Sequence, residues 1–151
     1  MLNEFPSPSD LQGAVQGTIL YFCVYAILLS FQSFSKFYLL AQKKQEAKKD
    51  GKKVSLRAVK YYNRDDKLAL LGDRSVGNFA EWALMFLPLM WMHAVFVDPS
   101  KSFLICAIYS FFRVVYPVLF INGVLVLLST FPNYMVILYL SYNLVTEVAL
   151  A

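Results

Sequence analysis

The stretch from Asp73 to Val97 reads DRSVGNFAEWALMFLPLMWMHAVFV, and its two halves pull in opposite directions. From Trp82 onward it carries no acidic or basic side chain except His93. Counted from Gly77, it reaches the ~20 apolar residues that a helix needs to cross ~30 Å of hydrocarbon. The mouth of the same stretch holds Arg74, Asn78 and Glu81. Residues at i, i+4 and i+7 project within ~60° of one another on a helix, so these three form one polar stripe. An ionisable group within a bilayer costs ~2.5–3.5 kcal/mol by insertion scales and ordinarily faces a bundle interior or a wet cavity. The segment therefore predicts a membrane helix with a polar purpose at one end.

The rest of the chain agrees with a membrane setting. Of its 151 residues, 58% are hydrophobic, the mean hydropathy is +0.51, and the apolar residues are gathered in long runs. The pattern predicts an all-α integral membrane protein of a single domain, 1–151, built as a four-transmembrane-helix bundle. The spans are expected at about 11–41, 77–97, 102–121 and 132–150. Asp98-Pro99-Ser100-Lys101 reads as a tight turn, because proline cannot continue a helix and Asp and Ser suit caps. Asn122-Gly123 reads as a helix stop. A second break is expected at Thr130–Tyr134 (TFPNY), with 123–131 as an apolar connector. A helix running unbroken from Ser102 to Phe131 would be ~45 Å long at ~1.5 Å per residue.

Charge gives the orientation. Residues 36–74 hold 12 of the 14 Lys and Arg, against 5 acids. By the positive-inside bias, the basic loop expected at 42–74 lies on the cytosolic-equivalent side and both termini lie opposite. Its middle, Lys43 to Lys53, is nearly free of apolar residues and is expected to be mobile. Contact with anionic headgroups of membrane lipids is its other natural use. With the basic residues confined to one loop of a membrane protein, nucleic acid is not an expected partner. The acidic, proline-rich start MLNEFPSPSD lacks the positive charge of a secretory signal, so the first apolar segment is expected to be retained. Cys23 and Cys106 lie in apolar runs and read as small hydrophobes. His93, the sole histidine, has no second ligand nearby in sequence, and no metal site is expected.

Glu81 needs a partner, and the third span offers Arg113, with Tyr116 one turn further on. On the residues alone, two readings stand: polar clasps between helices, or a ligand pocket.

The pattern Arg74-x-x-x-Asn78-x-x-Glu81, followed by Arg113-x-x-Tyr116, resembles the membrane-associated proteins in eicosanoid and glutathione metabolism, the MAPEG family. The turn DPSKS, the long charged first loop and the FPNY sequence look most like its microsomal glutathione transferase branch. The resemblance covers roughly residues 14–150. It implies a homotrimer in an endoplasmic reticulum or other organelle membrane. Glutathione would lie at subunit interfaces as co-substrate or ligand, held by Arg74, Asn78, Glu81, Arg113 and Tyr116. It implies a transferase or peroxidase acting on lipophilic electrophiles or lipid hydroperoxides. The chemistry is compatible: arginines bind carboxylates by forked, charge-assisted hydrogen bonds, and glutathione has two carboxylates and one amine.

One departure matters. Catalytic members of the family carry an arginine near the start of the fourth helix, where it stabilises the glutathione thiolate, and in the transferase branch it follows a Pro-Asn pair. Here Pro132-Asn133 is followed by Tyr134, and no Lys or Arg occurs after Arg113. Tyr134 is the available substitute, since its hydroxyl can donate to a thiolate. The alternative is a non-catalytic scaffold of the same fold, or an accessory subunit of a larger photosynthetic or respiratory membrane complex.

Overall fold

The computed structural model describes residues 5–49, 51, 53–59, 66–121 and 123–150. Among the described residues, four helices are long and apolar enough to cross a membrane: α1 (Gln12–Lys49), α2 (Lys67–Phe96), α3 (Ser102–Phe120) and α4 (Leu127–Leu144), the last extended by a wider π turn, Val145–Ala149. The chain is thus an all-α, multi-pass membrane protein. Large apolar side chains such as Leu84, Val118, Leu128 and Phe131 cover its outside, as a hydrocarbon solvent requires.

Helix α1 packs through a narrow stripe. Its buried residues Ala14, Gly17, Tyr21, Val24 and Leu28 recur in steps of three and four, the spacing of a coiled-coil seam. In lipid there is no hydrophobic drive between helices, so close packing of small residues takes its place. Gly17 shows this most sharply. A Cβ there would lie 2.8 Å from Cys106 Cβ on α3, and the Cys106 thiol donates to the Gly17 carbonyl at 2.9 Å. Above this contact runs a column of rings. Phe86 stacks on Tyr109 at 3.8 Å, and Tyr21 sits 4.3 Å from Phe79 and 5.6 Å from Phe86. These rings join α1, α2 and α3.

The turn between α2 and α3 is as expected. Asp98 accepts from the Ser100 amide at 2.9 Å and the Ser100 hydroxyl at 2.6 Å. It also pairs with Lys101 at 3.0 Å. These bonds, chiefly those from Ser100, hold its carboxyl below the usual range.

Two expectations need correction. The first concerns the basic loop. Helix α1 does not end near Ala41; it continues to Lys49, so Lys43–Lys49 is helix rather than loop. The reason is composition: AQKKQEAKK is made of strong helix formers, and charge alone does not end a helix. Lys43 also pairs with Asp66 at 2.7 Å, just before α2. Beyond it, a 3-10 turn at Leu56–Val59 folds back, and Val59 packs with Leu39, Leu40 and Ala69 in a small second core. Residues 50, 52 and 60–65 of the expected loop lie outside the described residues.

The second concerns the last span. The break falls at Gly123, with φ +58°, a left-handed conformation that glycine adopts without strain. Asn122, the other half of the expected stop, lies outside the described residues. Pro132 does not start the helix but sits inside α4. Side chains supply bonds around it: Ser129 and Thr130 both donate to the Val126 carbonyl at 3.0 Å, and Asn133 donates to the Ser129 carbonyl at 2.9 Å. The carbonyl that loses its ladder donor to Pro132 is that of Leu128, four residues earlier, and these bonds tie the turns on either side of it.

Candidate functional site

Because α2 begins at Lys67, Arg74, Asn78 and Glu81 all stand on one continuous helix. With Asp73, Gly77 and Tyr116 they line a small cleft of about 30 Å³. Arg74 and Glu81 are exposed in the single chain, Asn78 is half-buried, and Tyr116 is buried at 8% exposure. Counting back ~20 residues from the far end of α2 at Phe96 puts Glu81 ~6 Å inside the hydrocarbon. Two charged side chains thus reach the surface of the chain at or near membrane depth.

Arg113 behaves differently from its expected role. It is only 4% exposed and does not pair with Glu81. Its Nη1 donates to the Asn78 carbonyl oxygen, and its Nη2 donates to the Tyr109 hydroxyl at 2.6 Å. The guanidinium also lies 5.8 Å from the Trp82 ring centre, within cation–π range. Tyr109 stands four residues earlier on α3 and draws the guanidinium inward, to the level of Asn78. Arg113 therefore stands behind the cleft and fixes the orientation of the Asn78 amide. With Asn78 oxygen occupied by Arg113, its NH₂ group is the part left to serve a ligand.

Asp73 is the residue that sequence reasoning missed. Its carboxylate is buried at 3% exposure. It pairs with Lys36 at 2.5 Å and accepts from Gln32 Nε2 at 2.7 Å, both on α1. The helices come close enough here that a Cβ on Gly72 would lie 3.0 Å from the Gln32 Cα. The signal was present in the sequence: Gln32 and Lys36 interrupt the first apolar run at helical spacing, one turn apart. This clasp locks the turn of α2 that carries Arg74.

Tyr134, on α4, meets the Trp82 ring edge-on at 5.0 Å between centres and is 42% exposed. It does not line the polar cleft. Trp82 is the link, touching Tyr134 as well as the Arg113 guanidinium.

A helical multi-pass membrane protein with a polar cleft at the head of its second helix is the class these features define. The chain belongs to the MAPEG family, whose sequence pattern matches residues 18–145. No curated protein and no solved structure shows a significant match to it.

Proposed function

We propose that this protein binds glutathione at the α2 cleft and uses it as co-substrate toward lipophilic electrophiles or lipid hydroperoxides. The carrying observation is the convergence of Arg74, Asn78, Glu81 and Tyr116 on one cleft, with Arg113 bonded to Asn78 from behind. The donor set suits the ligand. Arg74 offers a fork for a carboxylate, Glu81 an acceptor for the amine, and the Asn78 amide and Tyr116 hydroxyl neutral hydrogen bonds. Arg113 is a positioning residue in this scheme.

A cleft of about 30 Å³ encloses only part of a tripeptide. The exposed Arg74 and Glu81 would also be costly against lipid, ~2.5–3.5 kcal/mol each. Both facts favour a site completed by a second copy of the chain, in keeping with a homotrimer. In a conjugation, the glutathione thiol loses its proton, its sulfur bonds to the electrophilic carbon, and the leaving group departs with the electron pair. Tyr134 is the proposed donor to the thiolate. A neutral hydroxyl lacks the full charge of an arginine, so thiolate formation near neutral pH should be weak.

The non-catalytic reading is favoured by a specific observation: α4 carries no Lys or Arg. Calorimetry with glutathione in nanodiscs separates a pocket from a clasp. Conjugation of a reactive aryl halide then separates an enzyme from a glutathione-binding scaffold.

A further inference from the structure

A second cavity lies on the other side of the Asp73–Lys36 clasp. It measures about 260 Å³ and is lined, among the described residues, by Lys36, Leu56, Arg57 and Val59. The folded-back turn Leu56–Val59 forms one wall, and its Val59 is anchored at 2% exposure against Leu39, Leu40 and Ala69. The wall is therefore a packed feature rather than a passing loop conformation.

We propose that this cavity is a binding site for the headgroup of an anionic phospholipid. Three observations carry it. Lys36 is held to Asp73, whereas Arg57 is exposed and makes no ion pair among the described residues. Among the described residues the guanidinium is thus an open cation of the cavity, and its planar fork matches a phosphate. Leu56 and Val59 give the same cavity an apolar shoulder, which suits a glycerol ester and the start of an acyl chain better than a soluble anion. The level is also right, because the cavity flanks α1 between its apolar run and the lysines at 43, 44, 48 and 49. There a helix leaves hydrocarbon for the headgroups, where basic side chains meet anionic lipid. The site uses none of the cleft residues, and the inference stands or falls apart from the glutathione reading.

Native mass spectrometry of the full chain in an uncharged detergent tests it, with phosphatidylglycerol, phosphatidylcholine and soluble glycerophosphate as probes. The variants are Arg57→Gln, Arg57→Lys and, as a basic control away from the cavity, Lys48→Gln. The wild type should retain phosphatidylglycerol over phosphatidylcholine. Arg57→Gln should lose that retention by about fivefold or more, the scale of one basic residue at an anionic surface. Arg57→Lys should keep most of it, and Lys48→Gln should change it little. Leu56→Ser should weaken lipid binding even where Arg57→Gln folds poorly. Equal retention of the two lipids, equal losses in Arg57→Gln and Lys48→Gln, or full competition by glycerophosphate would overturn the proposal. The second of these would mean diffuse attraction, and the third a soluble anion.

Discussion

The two ends of α2 both carry polar side chains inside an apolar helix, and they treat them in opposite ways. At the far end, His93 is buried at 1% exposure, with its Nε2 at 3.3 Å from the Asn143 amide of α4. Trp91 nearby donates to the Thr18 hydroxyl at 3.1 Å. These groups are turned inward and meet partners within the chain, His93 through Nε2 alone. At the near end, Arg74 and Glu81 are turned outward, while Asp73, between them and α1, is as buried as His93. The comparison distinguishes a clasp from a site. A clasp satisfies its polar groups with neighbours in the chain, whereas a site spends some residues as clasps so that others remain presented.

The sharpest way to break this comparison is at Asp73. Asp73→Asn should lower stability by about 3 kcal/mol, since it takes the charge from a buried carboxylate that both Lys36 and Gln32 meet. Thermal unfolding in nanodiscs checks it. A loss no larger than that of a surface substitution would mean that the Lys36–Asp73 bond is not what joins α1 to α2.

Gly17→Leu comes next. With only 2.8 Å available to a Cβ against Cys106, overpacking should cost about 1–3 kcal/mol. It acts on the α1–α3 seam, far from the cleft. Glutathione affinity of the folded fraction should be unchanged, so a selective loss of binding would blur the division between scaffold and site.

His93→Gln should cost about 1 kcal/mol, the net value of a hydrogen bond, and leave glutathione binding alone. Lys48→Gln, on the exposed extension of α1, should alter neither property. The orientation can be read in the same preparation. In a background with the exposed Cys23 replaced by serine, single cysteines at Ser7 and Lys48 should label from opposite faces. Each flanks the same membrane-crossing helix, α1, from a different end. Labelling from one face would discard the four-span arrangement.

What could be read from the sequence followed a physical line. Periodicity and length placed α3, the far end of α2 and the turn at Asp98, because these depend on local composition; α2 itself begins at Lys67, so 67–74 is helix where loop was expected. The polar stripe was legible for the same reason: i, i+4, i+7 fixes a face. Contacts between helices were not legible. Arg113 was expected on Glu81, yet Tyr109 and Asn78 hold it, and only the relative rotation of α2 and α3 decides that. Asp73 went unnoticed because its partners, Gln32 and Lys36, are about forty residues away in sequence. Charge misled at Lys43–Lys49, where helix propensity continued α1, and proline misled at Pro132, which α4 takes into its second turn.

The central claim is that the outward half of α2 is a glutathione site. Isothermal calorimetry of the wild type, Arg74→Gln and His93→Gln, each in nanodiscs, tests it most directly. Wild type and His93→Gln should bind glutathione alike. Arg74→Gln should bind at least about tenfold more weakly, the loss of one charge-assisted bond worth ~1.5–3 kcal/mol, while its unfolding temperature stays near that of the wild type. No binding by the wild type, or equal affinity in all three proteins, would contradict the account and leave Arg74 and Glu81 without a part in glutathione binding.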